Sequence, residues 1–241
     1  MKTTNFKNSL IKKSEEFKIS LKEEQFVQLE LYFKMLVQYG KRINLKGKLN
    51  YEEIIDFLFI DSMVGAKYLE LPVNCRVIDI GTGAGFPGIP LKIMYPSVKV
   101  TLLDSSYKKI NFVKEVCREI ALTDMKFVCE RAEIAGKKIE YREQYNCVTS
   151  KALAGLPVLL ELASPFVRPE GKVVCWKGIN YNEELKLMGE GYKRLSLNTP
   201  GVIKYNISPD SETNLLIFLK MDTLEKRYPR SYQAIKREPI K

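Results

Sequence analysis

The segment 77–90 restricts the possible folds of this chain more than any other. It begins with Val77, Ile78 and Ile80, a short β-branched run of the kind found in a parallel strand that is covered on both faces. Three glycines follow at alternate positions: Gly81, Gly83 and Gly85. Glycine suits positions where the backbone takes positive φ or where another group approaches closely, and Pro87 suits the first turn of a helix. A strand that leads through a glycine turn into a helix predicts a nucleotide-binding site in an α/β fold.

Two acidic residues indicate which kind of nucleotide the predicted site would bind. Asp79 lies two residues before the first glycine, and Asp104 ends a second predicted strand, 19 positions after Gly85. In Rossmann-type sites, the carboxylate that binds the ribose hydroxyls lies at about this separation along the sequence from the glycines. The glycines lack the following Lys-Ser/Thr of a P-loop and the spacing of a dinucleotide site. The combination looks like the S-adenosylmethionine site of a class I methyltransferase; the alternative is an α/β protein whose strand–turn–helix binds no ligand.

Apolar runs and helical patterns alternate from residue 77 onward. The predicted strands are 77–80, 99–104, 126–130, 146–150, 172–177, 202–207 and 215–221. The predicted helices are 88–95, 106–121, 157–167 and 182–195. This alternation predicts an α/β fold with a doubly wound, mostly parallel, seven-stranded sheet, and the two last strands, with no helix between them, predict a terminal antiparallel hairpin.

The residues before the first strand read as helices. A capping box over 20–23 predicts the start of one helix, which Gly40 would end, and Asn50 is a candidate cap for a second helix that Pro72 would end. We therefore predict three parts, listed here in order: an N-terminal helical extension packed on the core (1–72), an S-adenosylmethionine-binding core (73–224) and a basic C-terminal tail (225–241).

The composition excludes several classes of protein. With 241 residues, 45% of them hydrophobic, the chain can bury a sizeable core, and no apolar run approaches the length of a membrane span. The five cysteines are scattered and histidine is absent, so we predict no metal site and expect buried free thiols in the cytoplasm.

The net charge of +10 is concentrated at the two ends. Basic ends indicate a polyanion partner such as RNA, and solvated termini explain them equally well.

The run Asp-Ile-Gly-Thr-Gly-Ala-Gly-Phe-Pro-Gly-Ile-Pro, residues 79–90, resembles the first motif of the RsmG (GidB) family. The resemblance covers roughly 22–240, including Arg-Ala-Glu at 131–133 and the tail from Arg227. It implies a class I methyltransferase fold and methylation of guanine N7 in 16S ribosomal RNA of the small subunit. It also implies S-adenosylmethionine as cofactor, S-adenosylhomocysteine as product, and the small ribosomal subunit as partner. We expect the protein to be a monomer that binds neither a membrane nor a metal ion.

The cofactor residues come from the turn and from the resemblance together. The turn, its two acids and the residue just past the glycines contribute Asp79, Gly81, Gly83, Gly85, Phe86 and Asp104. The resemblance adds Ala132 and Glu133 at the adenine, and Lys151 where the family has Arg. A second departure is Leu58, which stands where the family has His, whereas the following Asp61 and Ser62 match. Either these two residues belong to the site or they merely hydrogen-bond between helices.

Guanine N7 carries no proton, so its methylation requires no general base, which agrees with a chain that lacks histidine. No catalytic residue can therefore be assigned. The candidates for contact with RNA or with the target base are Asn44, Lys46, Phe86, Lys177 and Arg230, and Lys151 and Arg227 are further candidates to hold RNA phosphates. Phe86 could instead pack under the first helix. Two other functions stay open: a class I methyltransferase for another RNA or a protein, and a non-catalytic ribosome- or RNA-binding protein with this fold.

Overall fold

The computed structural model of the protein describes residues 4–43, 50–209 and 211–241, with side chains described at 6–39 and in the two later ranges. Within these ranges the strands are β1 (Arg76–Ile80), β2 (Lys99–Asp104), β3 (Met125–Cys129), β4 (Tyr145–Lys151), β5 (Val167–Lys177), β6 (Gly201–Tyr205) and β7 (Thr213–Leu219). They form one sheet in the order β3-β2-β1-β4-β5-β7-β6. Strands β1 to β5 are parallel, and β7 is antiparallel to both β5 and β6. The predicted doubly wound sheet with a terminal antiparallel hairpin is confirmed.

The helices of the described residues are α1 (Thr4–Glu16), α2 (Glu23–Ile43), α3 (Tyr51–Ile54), α4 (Asp61–Lys67), α5 (Gly88–Met94), α6 (Tyr107–Glu119), α7 (Ala132–Ala135), α8 (Leu156–Ala163), α9 (Tyr181–Met188) and α10 (Tyr232–Arg237). A π-helical turn (Ile55–Ile60) joins α3 to α4, and a 3₁₀ turn (Gly191–Leu195) follows α9. Chain order reverses between β1 and β4, so a crevice opens at the carboxyl ends of these strands, where α/β sheets bind ligands.

Several boundaries differ from the sequence prediction, among them those of β5, of α2 and of the helix predicted over 182–195. Strand β5 begins at Val167, five residues before its predicted start. The sequence pattern did not show this first half because it contains a proline and a glycine, and it pairs irregularly with β4. The predicted helix 182–195 is divided at Gly189, whose φ is +53°. Helix α2 starts at Glu23 and continues through Gly40, and the Lys22 N–H, not Ser20, takes part in its capping contact, with Gln25. Asn50 does cap the next helix, in a capping box with Glu53.

Helix α1 was not predicted. The five lysines in residues 1–19 suggested a solvated basic end, but α1 buries Phe6 and Leu10. The Phe6 ring stacks on Phe33 of α2, with 4.1 Å between the ring centroids. The amphipathic stripe at helical spacing therefore outweighs the local charge.

The sheet separates two hydrophobic clusters. Helices α1 to α6 pack on one face, where Leu29 and Phe59 share a core with Val77 and Leu102. Helices α8 and α9 and the C-terminal helix α10 pack on the other face. The N-terminal helices thus bury their apolar side chains against the sheet itself. In the described part of the chain, no helix is both long enough and apolar enough to cross a membrane.

Candidate functional site

The glycine turn after β1 depends on three positive φ angles: +66° at Gly81, +59° at Gly83 and +106° at Gly85. The N–H groups of Gly81 and Thr82 both donate to the carbonyl oxygen of Leu103 in β2, at 2.8 and 3.1 Å. A Cβ added at Gly83 would meet no atom closer than the Gly81 oxygen at 3.9 Å. Gly83 thus leaves open space beside the turn, which is what close approach of a ligand requires.

Asp79 lies beneath the turn and has no solvent exposure. Its Oδ2 accepts a hydrogen bond from the Gly88 N–H at 3.2 Å, and its Oδ1 accepts one from the Thr149 hydroxyl at 3.1 Å. Burial raises the pKa of the Asp79 carboxyl to about 7, although these two hydrogen bonds act in the opposite direction. Both oxygens are thus occupied by groups that fix the turn and the start of α5, which are the contacts of a structural brace.

Asp104, at the end of β2, connects the turn to the neighbouring strand. Its Oδ2 accepts a hydrogen bond from the Gly83 N–H at 3.0 Å and lies 3.4 Å from the Lys109 ammonium. Its Oδ1 accepts one from the Ser106 N–H at 2.9 Å. These contacts hold a nearly buried carboxylate at the rim of the crevice.

A cavity of about 400 Å³ opens next to Asp104, a size typical of small-molecule sites. The residues that line this cavity include, in chain order, Gly81, Asp104, Lys109, Arg131, Ala132, Glu133, Leu153, Leu162 and Tyr232. The structure therefore brings together four of the predicted cofactor residues: Gly81, Asp104, Ala132 and Glu133. The remaining ones lie around or beneath the turn, except Lys151.

Lys151 is engaged with the N-terminal helices. Its ammonium forms an ion pair with the buried Asp61, with 2.5 Å between Nζ and Oδ2, and also donates to the carbonyl oxygen of Phe57 in the π-helical turn. The other Asp61 oxygen, Oδ1, is buried without a hydrogen-bond partner among the described residues. The Ser62 hydroxyl donates to the Leu58 carbonyl oxygen at 2.5 Å. Asp61 therefore ties α4 to the end of β4, and Ser62 bonds within its own helical stretch, so neither makes the contact between helices that was one of the two alternatives.

Phe86 does not present its ring to a base. It is 6% exposed and packs between Tyr32 and Phe59, with ring centroids 5.2 and 5.1 Å away. The expected base contact is contradicted by this packing, and the alternative, packing under the helices, is what the structure has.

Two cations predicted to contact RNA are used inside the protein. The Lys177 ammonium donates to the Ala154 carbonyl oxygen at 2.9 Å and to Glu184 at 2.6 Å. The Arg230 guanidinium binds both oxygens of Glu161. Both cations thus have internal partners, which a cation that leaves water requires, and their contact with RNA stays a prediction. Arg227 pairs with Glu225 at the surface.

Two other predicted RNA contacts, Asn44 and Lys46, lie outside the described residues. Several residues of the cavity were missed, among them Leu153, which would clash with a Cβ at Gly81, and Tyr232 from the tail. The sequence pattern carried no signal for Tyr232, because it is far from the turn along the chain. Among the described residues, no group of three His, Cys, Asp or Glu is placed to hold a metal ion.

Solved structures with this fold include methyltransferases. An S-adenosylmethionine-dependent methyltransferase from Aquifex aeolicus superposes with a TM-score of 0.54 at 16% identity, over 71% of this chain and 95% of that one. The ribosomal protein L11 methylase from Lactobacillus delbrueckii subsp. bulgaricus gives 0.53 at 14% identity, over 72% and 81%. At these identities the likeness concerns the fold, which is that of a class I methyltransferase.

The sequence defines the family. The model of the GidB family, described as rRNA small subunit methyltransferase G, matches residues 25–205. The chain is 36% identical to the ribosomal RNA small subunit methyltransferase G of Desulforamulus reducens, over 94% of this chain and 95% of that one. It is 35% identical to the protein of the same name from Halalkalibacterium halodurans, over the full length of both. This chain belongs to the GidB family.

We predict that Gly83→Val weakens the binding of S-adenosylhomocysteine at least tenfold, as measured by isothermal titration calorimetry. The side chain would occupy the open space beside the turn, and the positive φ would cost about 1–2 kcal/mol of stability. Gly189→Val is the matched control, because Gly189 also has positive φ and open space and lies at the end of α9. Equal affinity of the Gly83 and Gly189 variants would contradict the placement of the site.

We predict that Lys151→Ala lowers the free energy of unfolding by about 3 kcal/mol, because it leaves the Asp61 carboxylate buried and unpaired. Lys186→Ala, at an exposed position of α9, should change it by less than about 0.5 kcal/mol. Lys151→Arg should keep the pair, since the planar guanidinium can reach both carboxylate oxygens. Urea unfolding measures all three, and a loss at Lys151 no larger than at Lys186 would refute the buried pair.

The raised pKa of Asp79 predicts a pH dependence of stability. The fold favours the protonated carboxyl, so its contribution is complete below the unfolded pKa of about 4 and is lost as the pH rises through 7. Relative to Asp79→Asn, wild type should lose stability between pH 5 and 7, by at most about 1.4 kcal/mol per pH unit. Urea unfolding at several pH values checks this, and a difference that stays constant with pH would rule it out.

Proposed function

We propose that this chain uses S-adenosylmethionine to methylate guanine N7 in 16S ribosomal RNA of the small subunit. The proposal rests on one observation above all. A member of the GidB family has, at the carboxyl edge of a class I methyltransferase sheet, a cavity that joins the glycine turn to Asp104, Ala132 and Glu133. We place the protein in the cytoplasm, where the small subunit is found, and propose that it acts as a monomer.

The residues of the cavity fit this cofactor. Asp104, at the end of the strand that follows the turn, is the carboxylate for the ribose hydroxyls. Ala132 and Glu133, at the start of α7, line the part of the cavity that suits adenine, and the uncovered backbone at Gly83 admits close approach. When bound, the cofactor supplies a methyl group that its sulfonium charge has already activated.

The protein's part in such a reaction is positioning and electrostatics. Guanine N7 offers a lone pair and no proton, so no side chain has to act as a base. The chain has no histidine, and the charged residues Lys151 and Asp61 neutralise each other. Asp79 holds the turn and the start of α5 in place through Gly88 and Thr149.

The geometry of RNA restricts the substrate. N7 faces the major groove, which is deep and narrow in an A-form helix, so the target guanine must lie in a loop or a distorted helix. The net charge of +10 favours association with the small subunit as a polyanion.

The test uses purified protein, labelled S-adenosylmethionine and small subunits from cells that lack this protein. RNA from the reaction is then cleaved chemically at N7-methylguanine. We expect one new cleavage site in 16S ribosomal RNA. Subunits from cells that have the protein are the matched control and should accept little label, because their site is already methylated.

Two outcomes would overturn the proposal. Label in another RNA or in a protein would show that the chain is a methyltransferase with a different substrate. No label together with no binding of S-adenosylhomocysteine would favour a non-catalytic ribosome-binding protein.

A further inference from the structure

The C-terminal tail (225–241), together with Leu224 just before it, is docked on the protein and does not project as a basic arm. The Arg142 guanidinium donates to the carbonyl oxygens of Leu224 at 2.9 Å, Glu225 at 3.1 Å and Tyr228 at 2.7 Å. Tyr228 is 2% exposed, and Ile235, in α10, has no exposure. The tail therefore forms part of the core on the α8 side of the sheet.

A buried ion pair fixes the tail to α8. Arg230 donates from Nε to Glu161 Oε1 at 2.8 Å and from Nη2 to Oε2 at 2.6 Å, and its backbone N–H donates to Oε1 at 3.0 Å. Glu161 has no solvent exposure. The next residue of α8, Leu162, lines the cofactor cavity. One turn of α8 thus holds both the tail and a wall of the cavity.

Beyond this pair the tail reaches the cavity. The Ser231 side chain caps α10 by accepting a hydrogen bond from the Ala234 N–H at 3.3 Å, and the first residue of α10 is Tyr232. Tyr232 lines the cavity, and it also lines an outer groove beside α7. Tyr232 therefore lies, together with Arg131 and Glu133, between the cavity and that groove.

Tyr232 is also connected to the predicted adenine residues. The Arg131 guanidinium lies over its ring, 4.6 Å from the centroid, and the Arg131 Nε donates to the Glu133 carboxylate. A cation over an aromatic face is attracted by the ring quadrupole. The ring thus restrains Arg131, and Arg131 in turn restrains the carboxylate of Glu133.

We propose that Tyr232 is a cofactor-binding residue: its ring closes the cavity over the adenosyl part of the nucleoside cofactor and orients Glu133 through Arg131. This inference rests on the proposed function and adds to it a residue of the C-terminal tail. A flat aromatic wall excludes water from a base and packs against it at little cost in side-chain entropy. Docking of the tail through Arg230 then becomes a condition of tight cofactor binding.

The charged groups around Tyr232 favour this role over contact with RNA. Arg230 is saturated by Glu161 and by the Glu238 carbonyl oxygen, and Arg227 pairs with Glu225. The two cations near the Tyr232 ring, Arg131 and Lys236, lie 4.6 and 5.8 Å from its centroid. The cations nearest to the Tyr232 ring are therefore engaged with the protein.

The test measures S-adenosylhomocysteine binding by calorimetry and the steady-state kinetics of small-subunit methylation. Tyr232→Ala should weaken binding ten- to a hundredfold and raise KM for S-adenosylmethionine by a similar factor. It should leave kcat and KM for the subunit within twofold. Tyr232→Phe, which keeps the ring, should stay within threefold of wild type. Gln233→Ala is the matched control, because Gln233 lines only the outer groove, and it should bind normally.

Several results would overturn the inference. One is normal binding of S-adenosylhomocysteine by Tyr232→Ala; another is a rise confined to KM for the subunit, which would place the ring at the RNA interface. If Tyr232→Ala does not fold, Arg131→Met removes the cation and should still weaken binding severalfold; unchanged binding there would contradict the role of Arg131. Wild-type protein that binds no S-adenosylhomocysteine would instead defeat the proposed function itself.

Discussion

The hydrogen bond from the Gly83 N–H to the Asp104 carboxylate joins the two elements on which the site depends. It links the turn after β1 to the end of β2. The bonds from the Gly81 and Thr82 N–H groups to the Leu103 carbonyl oxygen link the same two elements. The turn can make these bonds only with positive φ at its glycines, and that conformation leaves its outer side free of Cβ atoms. The same bonds that fix the backbone therefore place a carboxylate and an uncovered turn on one side of a cavity.

The charged residues of this protein serve the fold more than the net charge suggests. Lys151 pairs with Asp61, Lys177 pairs with Glu184, and Arg230 pairs with Glu161 across the tail contact. Each cation is largely withdrawn from water, and burying it without a partner would cost several kcal/mol. Two of these pairs stand at the carboxyl ends of β4 and β5, where the sequence suggested free cations for RNA. The pairs fix the helices and the tail around the cavity.

The sequence predicted the sheet well because buried parallel strands are β-branched runs and each is followed by a turn or a helix. It also indicated four of the residues that meet at the cavity, since Asp104 ends one strand and Ala132 comes shortly after its neighbour. It failed where partners are distant along the chain. Nothing in the local pattern shows that Arg230 meets Glu161 or that Tyr232 reaches Arg131. Helix α1 was missed for a different reason, because its lysines conceal the apolar spacing of Phe6 and Leu10.

A crystal structure of the protein with S-adenosylhomocysteine would test the central claim, the location of the cofactor, most directly. The account predicts the ribose hydroxyls within hydrogen-bond distance of Asp104, the adenine beside Ala132, and the amino-acid part over the glycine turn. Density for the ligand at any other place, such as the cavity between α1 and the β6–β7 loop, would contradict it.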